Sequence, residues 1–165
     1  MSYIDPISIR IRDLLENGMG DAIKEFVYGE PTRAPSKGDL PLIAIINTTE
    51  RLSRTGTRRT MAEFQMTLKV MTDFTGEIDD WDIKGSYMKL KELIGARNDD
   101  YGLEDQTVLG ILDANKRLDP DKNLYIRNDI EAVYNNPFNP LEQGGYAVSA
   151  NVTFGLYLEA TSGDA

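Results

Sequence analysis

Two side-chain types are missing altogether from this 165-residue chain, cysteine and histidine. Without cysteine there is no disulfide and no thiolate chemistry. Without histidine the chain lacks the usual general base near neutral pH and the commonest metal ligand. Ser-His-Asp catalysis, Cys-His catalysis and ordinary zinc sites are thereby excluded. Chemistry run on carboxylates and lysine alone is not. Long apolar runs are also missing: nothing approaches the ~20 consecutive apolar residues of a membrane-spanning helix, which argues against a membrane partner. The opening segment MSYIDPISIRIRD carries charges inside its apolar part and no cationic leader, against a cleavable signal. Positive charge is in deficit, with 18 Lys and Arg against 27 Asp and Glu and a net charge of −9. Duplex affinity comes mostly from phosphate neutralisation by basic residues, so a general nucleic-acid binder is disfavoured.

What is present is a set of periodic segments. The most informative runs from Leu40 to Phe74. LPLIAIINTT is nearly all apolar, ERLSRTGTRR is polar with four arginines, and TMAEFQMTLKVMTDF alternates. In the last of these Ala62, Phe64, Met66, Leu68, Val70 and Phe74 are assigned to one face, Glu63, Gln65, Thr67, Lys69 and Asp73 to the other. A long β-hairpin with a protruding basic loop is expected. Tyr146 to Leu158 alternates in the same way and predicts a long half-buried strand. A strand is also expected from Leu124 to about Tyr134, after the turn Asp119-Pro120-Asp121-Lys122-Asn123, and a short one over Ile23 to Tyr28.

Helical spacing appears twice. Asp5 is placed as an N-cap with Pro6 at the first helical position. Ile7, Ile11, Leu14 and Leu15 form the apolar stripe, and Asn17-Gly18 is expected to end the helix. A second helix is expected from about Ile83 to Arg97, with Tyr87, Leu90 and Ile94 on its apolar face. Thr107 to Leu112 fits either a strand or a short helix. Alternating strands with one covered face favour antiparallel pairing. The expected fold class is therefore α+β: an antiparallel sheet with two main helices packed on one face. No repeat or linker interrupts it, so a single domain over 1–160 is expected, with residues 161–165 as a short disordered tail.

Arg51, Arg54, Arg58 and Arg59 place four cations within nine residues of an otherwise acidic chain. Arginine pairs bidentately with carboxylate and phosphate, which suits a partner-seeking tip. A solvated tip that deters edge pairing is the plainer alternative. Asp79, Asp80 and Asp82 surround the lone tryptophan, Trp81. These carboxylates, like Asn98-Asp99-Asp100, suit a hard cation, solvent, or the arginines of a neighbouring subunit. Asp119-x-Asp121-x-Asn123 resembles the start of a calcium loop, but Leu124 and Ile130 stand where glycine and an acidic residue are needed. Gly18-Met19-Gly20 lacks the rest of a dinucleotide motif and reads as a helix end. Met61, Met66, Met71 and Met88 read as core and interface filler.

The order of elements is itself suggestive: a helix ending in Asn-Gly, a Pro/Gly loop, LPLIAIINTTERL, an alternating strand leading to SYMKLKELIGARN, a turn at ANKRLDP, and the closing strand GGYAVSANVTFGLYLE. This layout resembles that of the tail terminator, or tail completion, proteins of tailed bacteriophages. The resemblance implies a structural virion protein of the tail and neck, assembled in the host cytoplasm. Such a protein forms a homo-oligomeric ring, typically a hexamer, that caps the tail tube protein and stops its polymerisation. The ring joins the tube to the head-tail connector, DNA crosses the lumen only in transit, and no enzyme activity or cofactor is implied. No motif residue of that family carries over onto this chain. Another neck, connector or baseplate component is the related alternative, and a metal-dependent carboxylate enzyme built around Trp81 is the alternative of another class.

Overall fold

A computed structural model describes residues 3–54, 59–74, 84–134, 139–142 and 144–161, with backbone alone at 59, 84–87, 160 and 161. The longest pairing joins β3 (Arg59–Asp73) to β6 (Tyr146–Thr161), unbroken and antiparallel from Arg59↔Thr161 to Asp73↔Ala147. These are the two segments with the clearest two-residue period. Around them lie β1 (Glu25–Tyr28), β2 (Leu42–Arg54), β4 (Leu124–Val133) and the two-residue β5 (Asn139–Pro140). The sheet order is β1-β2-β3-β6-β4, with β5 beside β6.

The α+β class and the long hairpin stand, with two corrections. The sheet is mixed, because β1 runs parallel to β2, whereas β2, β3, β6 and β4 pair antiparallel. A four-residue strand carries no sequence signal of its direction; the connection from Tyr28 to Leu42 sets it. There are also three α-helices among the described residues: α1 (Pro6–Met19), α2 (Lys84–Gly95) and α3 (Val108–Ala114). The ambiguous Thr107 segment is thus helical. Thr107 caps it, its hydroxyl accepting the Gly110 N–H at 3.0 Å.

α1 starts as its sequence dictates. The Asp5 carboxylate accepts the Ile7 N–H at 3.2 Å and the Ser8 hydroxyl at 3.2 Å. It ends two residues later than expected, at Met19, with Gly20 at φ 58° as the cap. Gly18 lies inside the helix for a different reason: a Cβ there would run into the Ile111 side chain of α3. It is a packing glycine, not a terminator.

The helices cover one face of the sheet. Ile11 and Leu15 of α1, Leu90 and Ile94 of α2, and Ile111 and Leu112 of α3 share a core with Ile43, Ile45, Leu68, Val70, Val152 and Phe154. Met66 joins that core, while Met88 is 62% exposed. The opposite face is covered too, at one end only. Leu42, Ala44, Met71 and Ala147 form a second, smaller core with Leu40, Val27 and Leu141. There the Glu142 N–H bonds the Pro35 carbonyl at 3.1 Å, and Asn139 Nδ2 donates to the buried Ser149 hydroxyl at 3.1 Å. The inner half of the sheet is therefore closed on both faces.

Candidate functional site

The outer half of β2 and β3 is different. Pairing continues past the apolar run to Arg54↔Thr60, so most of the polar segment expected as a loop is strand, and only residues 55–58 connect the two. Thr48 to Leu52 are all exposed, Leu52 by 75%. A ladder satisfies backbone groups whether or not either face is buried, so a charged sequence with no apolar face still forms one. The feature is an arm rather than a tip. At its base Thr48 is an extra residue between the pairs Asn47↔Met66 and Thr49↔Gln65, a β-bulge. Its hydroxyl donates to the Gln65 carbonyl at 3.0 Å.

The sequence-predicted site residues separate accordingly. Arg51 and Arg54 are exposed on β2, and Arg51 faces Glu63 across the ladder. Arg59 opens β3, its backbone paired with Thr161. Arg58 lies outside the described residues, as do Asp79, Asp80, Trp81 and Asp82. Among the described residues no three acidic side chains stand together as a metal site would require. The acidic segment Asn98-Asp99-Asp100 is a self-bonded turn in which Asn98 Oδ1 accepts the Asp100 and Gly102 N–H groups at 3.0 Å each.

Beside the arm is a cleft of about 610 Å³, lined by Thr49, Arg51, Glu63 and Gln65, by 127–131 of β4, and by Thr153 and Gly155. β4 pairs with β6 at Ile126↔Leu156 and again at Ile130↔Phe154, with a register shift between. The residues in between, Arg127, Asn128 and Asp129, are exposed. From this bulge the Arg127 side chain crosses β6 to reach Glu63 on β3, Nη2 to Oε1 at 3.1 Å. It crosses at Gly155, where a Cβ would lie 2.9 Å from Arg127 Cδ. Tyr125 and Tyr157 stack next to it with centroids 5.2 Å apart.

Arg127, Glu63 and Gly155 were not singled out by sequence reasoning. The available signal was Gly155 itself, a glycine inside an otherwise regular alternating strand, which marks a close approach by another group. Its partners are not legible, since Glu63 and Arg127 are 64 positions apart.

What this arrangement offers chemically is recognition. Arginine and carboxylate side chains alternate across an open polar surface, and a ladder edge ends in exposed cations. No protein-family model matches the chain, and no curated protein sequence matches it.

Proposed function

We propose that this chain is a structural component of a phage virion: a ring-forming tail terminator that caps the tail tube, halts its polymerisation and connects it to the head. The arm carries the reading. It takes exposed arginines clear of both cores on a chain whose net charge is −9, which suits docking on an acidic surface of a neighbouring subunit or of the tube protein. The arm is also built as an extension of the sheet rather than a loose loop, so little ordering entropy is lost when it docks. The order of elements that resembles the terminator family supports the same conclusion.

Solution mass and assembly test it together. The wild-type protein is expected to sediment as a closed ring near six subunits. Replacing Arg51, Arg54, Arg58 and Arg59 by serine should leave the melting temperature of the subunit nearly unchanged while abolishing ring formation or tail completion. Normal assembly by that variant sinks the arm's role, and a strict monomer under all conditions sinks the ring.

A further inference from the structure

The arm has an edge as well as faces. β1 pairs with β2 only from Leu42 to Ile45, so beyond Ile45 the far side of β2 has no strand beside it among the described residues. The direction of its backbone groups follows from the ladder. The Lys24 N–H bonds the Pro41 carbonyl and the Gly29 N–H the Ile45 carbonyl, each at 2.8 Å. Odd-numbered residues before the bulge thus point their backbone groups at β1, and even-numbered ones at β3. The extra residue Thr48 reverses this order. After it Thr49, Arg51 and Ser53 bond β3, and Glu50, Leu52 and Arg54 direct their N–H and C=O groups outward. Unpaired edges of this kind are templates for strand addition.

We infer that the arm pairs with the arm of a second copy of this chain, antiparallel, about a two-fold axis at Leu52. A two-fold normal to the sheet sets a residue opposite its own copy, as a hydrogen-bonded pair where that residue has outward groups and as a non-hydrogen-bonded pair where it does not; either kind of centre keeps outward-directed residues opposite one another. From Glu50 to Arg54 five centres are possible; those at Arg51 and Ser53 set Leu52 opposite Glu50 or Arg54 and match no opposite charges. A centre at Glu50 opposes two carboxylates, and a centre at Arg54 opposes two guanidiniums. A centre at Leu52 opposes two exposed leucines and sets Glu50 opposite Arg54 of the other copy, twice. Opposite charges across a strand pair stabilise and like charges destabilise. Glu50 is held on the arm by Asn47, whose Nδ2 donates to Oε1 at 2.9 Å. Glu50, Leu52 and Arg54 all lie on the helix side of the sheet, in line with Phe64, Ala62 and Thr60, so the matched pairs fall on one face. An isologous contact closes on itself, so this pairing does not depend on the ring reading.

Sedimentation velocity over a concentration series tests it, with melting curves to check the fold. Wild type should show a concentration-dependent doubling of mass, whether the unit that doubles is the single subunit or the ring. Glu50→Arg alone and Arg54→Glu alone each create like-charge pairs and should weaken association by roughly tenfold. The double variant, with the charges exchanged, should restore it. The chain has no cysteine, so Leu52→Cys introduces a single thiol. Opposed Cα atoms about 5.5 Å apart fall within disulfide range, so mild oxidation should cross-link it. Ser53→Cys, whose copy lies on the diagonal, should cross-link poorly. Association indifferent to the charge exchange overturns the pairing and leaves the ring standing. Equal cross-linking at the two positions likewise overturns the pairing alone, whereas a monomer at every concentration overturns the pairing and the ring together.

Discussion

β2 and β3 pass through two environments in one ladder. Over the inner half, Ile45 and Leu68 are 1% and 0% exposed and the second face is covered as well. Over the outer half the same hydrogen-bonded pairing continues, yet Leu52 is 75% exposed. Backbone pairing is therefore not what distinguishes a core strand from an arm. Side-chain burial is, and the two halves should answer differently to the same substitution. Leu68→Ala removes a fully buried side chain between helices and sheet and should cost about 2–5 kcal/mol. Leu52→Ala, measured in dilute solution, should stay within about 0.5 kcal/mol. Urea unfolding of the two variants decides it; equal losses would erase the distinction between core and arm.

That contrast also explains what was legible in the sequence. The face assignments in 62–70 and 146–158 hold because one face of each strand is buried, and burial selects for alternation. The Asp5-Pro6 start of α1 is legible because a cap is a local hydrogen bond. The β2 half of the arm reads as loop because its residues 48–52 are exposed on both faces, so nothing selects an apolar period. Its strand character comes from β3, already aligned by β6. The parallel direction of β1 and the role of Gly18 are set by contacts distant in sequence. The Arg127–Glu63 pair is hidden for the same reason, as is the second core, whose cover comes from Leu40 and Leu141 in separate loops.

A smaller effect sharpens the comparison at the closed end. Asp73, at the inner end of β3, accepts from Lys89 of α2 at 3.0 Å. Partial burial, the largest influence, raises its pKa, but the hydrogen bond and charge of Lys89, a backbone hydrogen bond and the charge of Lys37 together outweigh it and hold the carboxyl below its ordinary value. The folded state thus binds this proton less readily than the unfolded one. The stabilisation is complete above about pH 5 and is lost as pH falls through the depressed folded value. Lys89→Met should cost about 0.5–1 kcal/mol at pH 7, and the difference from wild type should vanish towards pH 2. A difference that persists there would assign Lys89 a packing role instead.

The smallest effect belongs to the open half, where Gly155 holds the crossing of Arg127 to Glu63. Gly155→Ala has two opposing consequences. An alanine in a strand restricts the unfolded chain more than glycine does, a gain of about 0.4–1 kcal/mol. Its Cβ would also press on Arg127 Cδ, the middle of a flexible side chain that can swing away at the expense of the ion pair. An ion pair exposed to this degree is worth about 0.2–1 kcal/mol, so net stability should barely change and the melting temperature alone is uninformative. The coupling is the proper readout. A double-mutant cycle between Arg127→Ala and Glu63→Ala should give about 0.2–1 kcal/mol in the native background and near zero in the Gly155→Ala background. Coupling preserved in both would mean that Arg127 reaches Glu63 without needing the bare strand beneath it, and that Gly155 serves the backbone alone.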